Sequence, residues 1–249
     1  MSGHEPANLI IRAQDFDSEL LGAPVERLLV SGAPKAGDLD GGLKEARERW
    51  LQEGVWLVDC RVPEAWTAAQ ASLERVGFRP VEVLVTFSRP IEPVPSEPGA
   101  VPARIDDAAA CGEVAGHAFR DDRYHVDPEI PDAGADEVKR VWAHNAVNGR
   151  ADSVLVVREA GRVVGFVSCL LADDAVVIDL IAVAPGSQGK GLGEVLLQGV
   201  RAAYAGRVRD IRASTQEANR ASTALYRRLG FEEVARTRTY HWTHAEARP

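Results

Sequence analysis

An apolar, β-branched run, Val176-Val177-Ile178-Asp179-Leu180-Ile181-Ala182-Val183, leads directly into Ala184-Pro185-Gly186-Ser187-Gln188-Gly189-Lys190-Gly191-Leu192-Gly193. Glu194 to Val200 then carries apolar residues at helical spacing. The order is strand, Gly-rich turn, helix. Such a turn aims backbone N–H groups and the positive end of a helix dipole into one small volume, which suits a phosphate. Two readings stand at this point: a tight strand-to-helix turn that happens to be Gly-rich, or a cradle for the pyrophosphate of a nucleotide-containing ligand. The spacing fits neither the Walker pattern nor a dinucleotide G-x-G-x-x-G.

Around this turn the chain reads as alternating short strands and helices. Leu9–Arg12 and Pro24–Val30 are strand candidates, separated by a polar turn from Asp15 to Gly22. Leu43–Gln52 has helical spacing and stops at Gly54. Val55–Cys60 is a strand, Pro63 opens a helix over Glu64–Val76, and Val81–Phe87 is a strand. From Ser88 to Pro102, five of fifteen residues are proline, a composition that suits a semi-rigid linker. The expected division is therefore a first domain over 1–90, a linker over 91–102 and a second domain over 103–249.

The second half opens with a helix capped at Asp106 and a polar, aromatic loop, Arg120–Pro131. A helix over Ala135–Val147 follows, then strands over Ser153–Arg158, Val163–Leu171 and Ala175–Val183 in meander order. After the Gly-rich turn and its helix come a strand at Asp210–Thr215, a helix at Asn219–Leu229, and strands at Glu232–Ala235 and Thr239–Trp242. The helix-Gly-Phe-strand order around Gly77-Phe78 returns around Gly230-Phe231, so the first half looks like a partial copy of the second. The first copy lacks the Gly-rich turn.

Composition removes several classes. The net charge is −8, so a general nucleic-acid binder with a basic face is not expected. No apolar run approaches the roughly 20 residues of a membrane span. The opening MSGHEPANLIIRAQD lacks a basic segment followed by an apolar one, so no signal peptide is expected. Three widely spaced cysteines, Cys60, Cys111 and Cys169, read as reduced thiols of a cytoplasmic protein. No Cys/His cluster has metal spacing, so no metal is expected.

Gln188-x-x-Gly191-x-Gly193 fits the Gln/Arg-x-x-Gly-x-Gly/Ala turn of the GNAT acyltransferase superfamily. Asn219 and the run Leu225-Tyr226-Arg227-Arg228-Leu229-Gly230-Phe231 follow in the order and at the distances that superfamily shows. The chain thus resembles GNAT enzymes over residues 103–244. The implied fold is α/β (α+β), a mixed and mostly antiparallel sheet flanked by helices, with a degenerate GNAT-like N-terminal half. Phe16–Gly22, Gly77-Phe78 with Glu82, the Ala118–Tyr124 loop and Trp142-x-x-Asn145 are similar to the dTDP-fucosamine acetyltransferases. That likeness implies acetyl-CoA as co-substrate, a dTDP-4-amino-4,6-dideoxygalactose-like acceptor and a homodimer.

The resemblance implies roles for particular residues. The pyrophosphate is expected on Gln188, Gly189, Lys190, Gly191, Leu192 and Gly193, although Lys190 can equally be a solvated surface residue. The pantetheine and carbonyl are expected along Ile181, Ala182 and Val183. Asn219 contacts the cofactor, caps its helix, or does both. Tyr226 is the candidate general acid, against a plain packing role. Glu82 is the candidate base, against an ordinary strand-start carboxylate. Arg123, Tyr124 and His125 are candidates for gripping the acceptor, and His125 can also be an ordinary loop histidine. Tyr240-His241-Trp242 reads as strand packing, with His241 able to face an acceptor. Other GNAT acceptors (a small amine, a peptide N-terminus) and a non-catalytic acyl-CoA sensor stay open at this level.

Overall fold

The computed structural model describes residues 8–92 and 99–249. The central part of the proline-rich linker, residues 93–98, lies outside the described residues. The chain forms two compact units. The first holds residues up to Leu84 together with Val126–Ile130 and Arg236–Pro249; the second holds Val85–His125 and Pro131–Ala235. This division differs from the expected one at 91–102. Its physical reason is strand continuity: strand β4 runs unbroken over Arg79–Pro90, and the final strand returns residues 236–243 to the first unit.

The first unit contains β1 (Asn8–Ala13), α1 (Asp15–Leu21), β2 (Val25–Ser31), α2 (Asp40–Glu53), β3 (Leu57–Pro63), α3 (Thr67–Arg75) and the start of β4. Strand β1 pairs antiparallel with β2, β2 pairs parallel with β3, and β3 pairs antiparallel with the end of β10 (Glu232–Thr243). Period-2 alternation sorts β3 into two faces. Val58, Cys60 and Val62 join Trp50, Phe78, Tyr240 and Trp242 in an apolar core against α2 and α3. The rings of Trp50 and Trp242 lie 5.3 Å apart. The opposite face carries Asp59 and His241, which are register partners.

Three local expectations change. The Asp15–Gly22 turn is the short helix α1. Acidic Asp15 and Asp17 in its first turn complement the helix dipole, and the Gly22 N–H closes it on Ser18 O at 3.0 Å. Pro63 ends a strand and does not start a helix. It pairs with Thr237, Glu64 N–H donates to Arg236 O at 3.0 Å, and the helix begins only at Thr67. The two expected terminal strands are one, over Glu232–Thr243.

The second unit contains the end of β4, β5 (Val101–Pro102), α4 (Ala108–Ala118), α5 (Asp132–Asn145), β6 (Ser153–Glu159), β7 (Arg162–Ala172), β8 (Ala175–Val183), α6 (Leu192–Tyr204), β9 (Asp210–Gln216), α7 (Arg220–Arg228) and the start of β10. Strands β6 to β8 form the expected antiparallel meander, β5 adds antiparallel to β6, and β9 lies parallel to β8. One face packs on α6 and α7 through Val176, Ile178, Leu196, Val200 and Tyr226. The other packs on α4 and α5 through Val156, Phe166, Leu180 and Ala182.

Candidate active site

Strand β8 pairs with β7 along its whole length, with one irregularity halfway. Ile178 faces Cys169 and Leu180 faces Ser168 on β7, so Asp179 is an extra residue, a β-bulge. The bulge reverses the alternation. Val176 and Ile178 point to the α6/α7 core, whereas Leu180 and Ala182 point to the α4/α5 core. Ile181 and Val183 are then left half-buried on the α6/α7 side. The ladder to β9 runs from Ala175↔Asp210 to Ile178↔Ala213 and goes no further. Beyond it the two parallel strands part, and residues 179–183 face a gap.

The Gly-rich turn closes the end of that gap. A 3-10 turn spans Pro185–Ser187, and Gln188 Nε2 donates to Val183 O at 3.1 Å, tying the turn to its strand. Gly191 sits at the start of α6 with φ 79°, a backbone conformation that disfavours any Cβ. At Gly193 the constraint is space: an added Cβ would lie 3.0 Å from Leu225 Cδ2 on α7. The first N–H groups of α6 have no acceptor inside their own helix and converge with its positive dipole end.

A cavity of about 540 Å³ lies inside the second unit at this point. Its walls are Ile181–Val183 of β8, the turn residues Gln188, Gly189 and Gly191–Gly193, the α7 residues Ser222, Leu225 and Tyr226 with Asn219, and the stretch Ala118–Asp122 after α4. Asn219 also caps α7, its Oδ1 accepting from Ser222 N at 3.0 Å. Tyr226 lies between Phe87 and Phe231, with ring centroids 5.5 and 5.3 Å away, and is 2% exposed. Burial pushes its phenol above the ordinary tyrosine range. Among the described residues no hydrogen-bond partner is present for its hydroxyl.

Other residues singled out in the sequence lie elsewhere. Lys190 is not on the cavity wall. Its ammonium contacts Glu159 at 2.8 and 2.9 Å, and Ser187 Oγ donates to the same carboxylate at 2.9 Å, so the lysine pins the turn to β6. Arg123 and Tyr124 are buried and also absent from the wall. The Arg123 guanidinium stacks 4.3 Å over the Tyr124 ring and donates to its hydroxyl. His125 bridges Asp122 at 2.7 Å and Asp136 at 3.0 Å. Glu82 belongs to the first unit. Its side chain is 3% exposed, accepts from Thr239 Oγ1 at 3.1 Å and lies 3.6 Å from Arg61.

The wall residues Phe119–Asp122 were not resolved by the sequence as a separate group from Arg123–His125. The difference is made by tertiary charge. Lys139 approaches Asp122 to 3.5 Å and lies 5.1 Å over the Phe119 ring. Burial opposes ionisation of Asp122, but Lys139 and the hydrogen bond with His125 outweigh it and hold its carboxyl well below the usual range. For His125, burial disfavours the charged ring, and the bonds to Asp122 and Asp136 more than offset it, raising its pKa. A raised folded pKa gives stabilisation that is complete below the unfolded value, about 6.5, and fades as pH rises through the folded value. The urea-midpoint difference between wild type and His125→Gln is therefore expected to be largest near pH ~6 and to shrink toward pH ~9. A difference that grows with pH would contradict the assignment.

Residues 113–231 match the model of the Acetyltransferase (GNAT) family. Among curated proteins it is 35% identical over 156 residues to the spore coat polysaccharide biosynthesis protein SpsD of Bacillus subtilis, covering 62% of this chain and 52% of that one. It is 30% identical over 190 residues to the mycothiol acetyltransferase of Tsukamurella paurometabola, covering 70% of this chain and 64% of that one. The chain thus spans between about half and just under two thirds of the length of these relatives. A GCN5-related N-acetyltransferase from Sphaerobacter thermophilus shares the fold, with TM-score 0.66 at 20% identity over 98% of this chain and 76% of that one. So does a tandem GNAT protein from the clavulanic acid biosynthesis pathway, with TM-score 0.61 at 16% identity over 92% of this chain and 77% of that one. Among the described residues, no helix is long and apolar enough to cross a membrane.

Proposed function

We propose that the chain is an N-acetyltransferase that moves an acetyl group from acetyl-CoA to the amine of a nucleotide-linked amino sugar, by direct attack while both are bound. The observation that carries this reading is the cavity of the second unit, where a parted strand pair, a helix N-terminus and Tyr226 share one wall. The donor set fits the ligand. The N–H groups of Gln188–Gly193 would receive the pyrophosphate, and the open edge of Ile181–Val183 would receive the amide-bearing pantetheine arm. Bound acetyl-CoA supplies the activated acyl carbon and a thiolate leaving group.

The chain's residues do the rest. The gap beyond Ile178 leaves the edge of β8 free to receive the pantetheine arm. Tyr226, kept neutral by its apolar surroundings, would hold a proton for the departing sulfur. The same dry surroundings make a thiolate more basic than its ordinary pKa of about 8.5, which favours the transfer. Glu82 is proposed as the base that takes the amine's proton. Glu82→Gln is then expected to lower kcat while leaving acetyl-CoA affinity unchanged. An unchanged kcat in that variant would leave Glu82 with only its contacts to Arg61 and Thr239.

The nucleotide-sugar acceptor is supported by the likeness to a protein named for polysaccharide biosynthesis. A second reading, a different small amine as acceptor, is supported by the likeness to a mycothiol acetyltransferase. Thiol release from acetyl-CoA with a panel of amines separates them. Release with a dTDP-4-amino-4,6-dideoxy sugar supports the first; release only with amines that carry no nucleotide supports the second. CoA binding without thiol release from any amine would favour a sensor and overturn both.

A further inference from the structure

The carboxylate of Asp179 occupies an unusual place in the sheet of the second unit. It is the bulged residue of β8, and it is the first residue beyond the last β8–β9 pair. Its side chain is only 10% exposed. Trp142 Nε1 on α5 donates to Oδ2 at 3.0 Å, and Arg150 Nη1, just after α5, donates to the same oxygen at 2.6 Å. The Arg150 guanidinium also lies 4.9 Å over the Trp142 ring. Beside the bulge, Leu180 N–H donates to Ser168 Oγ at 3.1 Å, so a side chain accepts where a regular ladder would offer a carbonyl.

These contacts resist straightening of the strand. Past Ile178 and Ala213 the two strands are parallel neighbours with unmet edges, and continued pairing would close the gap. Removing the bulge would shift every residue from Leu180 onward to the opposite face. It would also pull a nearly buried carboxylate away from its two donors, leaving charge and indole N–H unpaired.

We propose that Asp179 is a positioning residue: held by Trp142 and Arg150, it fixes the point at which β8 leaves β9 and so keeps the slot along Ile181–Val183 open for the pantetheine arm of an acyl-CoA. The inference rests on the reading of the cavity as an acyl-CoA site. Nothing requires Asp179 to touch the ligand, so its effect should appear in donor affinity and not in the chemical step.

The test is calorimetric titration of CoA into the full chain, with steady-state kinetics on any amine that supports thiol release. Asp179→Ala is expected to weaken CoA binding by about 10-fold or more, with kcat at saturating acetyl-CoA close to wild type. Asp179→Asn keeps an acceptor for the Trp142 indole and is expected to recover part of the affinity. Should Asp179→Ala not fold, Trp142→Phe, which removes one donor only, is expected to show the same change on a smaller scale. A variant that binds CoA with wild-type affinity, whether at full stoichiometry or with fewer active sites, would overturn the inference and show a purely structural residue. A wild-type chain that binds no CoA would instead remove the acyl-CoA reading itself.

Discussion

Tyr226→Phe is expected to lower kcat by about 10²-fold, the lower end of what a positioned general acid contributes, or about 2.7 kcal/mol of barrier. The substitution removes one hydroxyl and keeps the ring. The ring packs between Phe87 and Phe231, so the core of the second unit should tolerate phenylalanine at this position. The KM for acetyl-CoA should change little, because the walls formed by Ile181–Val183 and the Gly-rich turn are untouched. Steady-state kinetics at several pH values checks this. If kcat is unchanged, Tyr226 is a packing residue and the thiolate is protonated by water or by another group.

The second large effect concerns stability. Asp127 sits in the loop segment that belongs to the first unit, and its side chain is fully buried. Arg79 approaches it to 2.7 Å and His241 Nδ1 to 2.5 Å, and the His241 side chain is also fully buried. Glu129 N–H donates to the same carboxylate at 2.9 Å, which shapes the turn that carries it. Removing one member of such a cluster leaves the others desolvated. Asp127→Ala is expected to destabilise by about 3 kcal/mol, at the low end for a broken buried pair because Arg79 stays partly solvated. Asp127→Asn, which keeps the shape and loses the charge, should cost less.

The pH dependence has a definite sign. Burial raises the Asp127 pKa, but the bonds to His241 and Arg79 outweigh it, so the folded value is depressed. Its contribution is therefore present above the unfolded carboxylate value of about 3.9 and is lost as pH falls through the folded value. Urea unfolding of wild type and Asp127→Ala should converge at strongly acid pH. Equal stability of the two at neutral pH would mean that the cluster adds nothing to the fold.

Much of the second unit was legible from local pattern. The β-branched run, the glycines and the apolar helix face of 194–200 fix strand, turn and helix without tertiary help, and Asn219 behaves as its capping chemistry predicts. Asp179 inside an apolar run was a visible signal of the bulge, but its meaning depends on Trp142 and Arg150, which are distant in sequence. The first unit was less legible. Pro63 ends a strand because Arg236 and Thr237 pair beside it, and no local signal reveals a partner more than 170 residues away. The same return of the last strand moves the division of the chain into β4. At the loop after α4, aromatic and basic residues suggested ligand contacts for Arg123, Tyr124 and His125. The ion pairs of Asp122 and Asp136 draw His125 inward, Arg123 spends its guanidinium on Tyr124, and the cavity wall falls to Phe119–Asp122.

The second unit's cavity is the proposed acetyl-CoA site. Titration of acetyl-CoA into wild type and into Gly191→Val tests it most directly. Gly191 starts α6 at φ 79°, so a β-branched side chain there should distort the turn whose N–H groups are to hold the pyrophosphate. Saturable binding of one acetyl-CoA per wild-type chain is expected, with a loss of affinity of about 10-fold or more in a folded Gly191→Val protein. Absence of binding to wild type, or equal binding to both proteins, would contradict this assignment of the cavity.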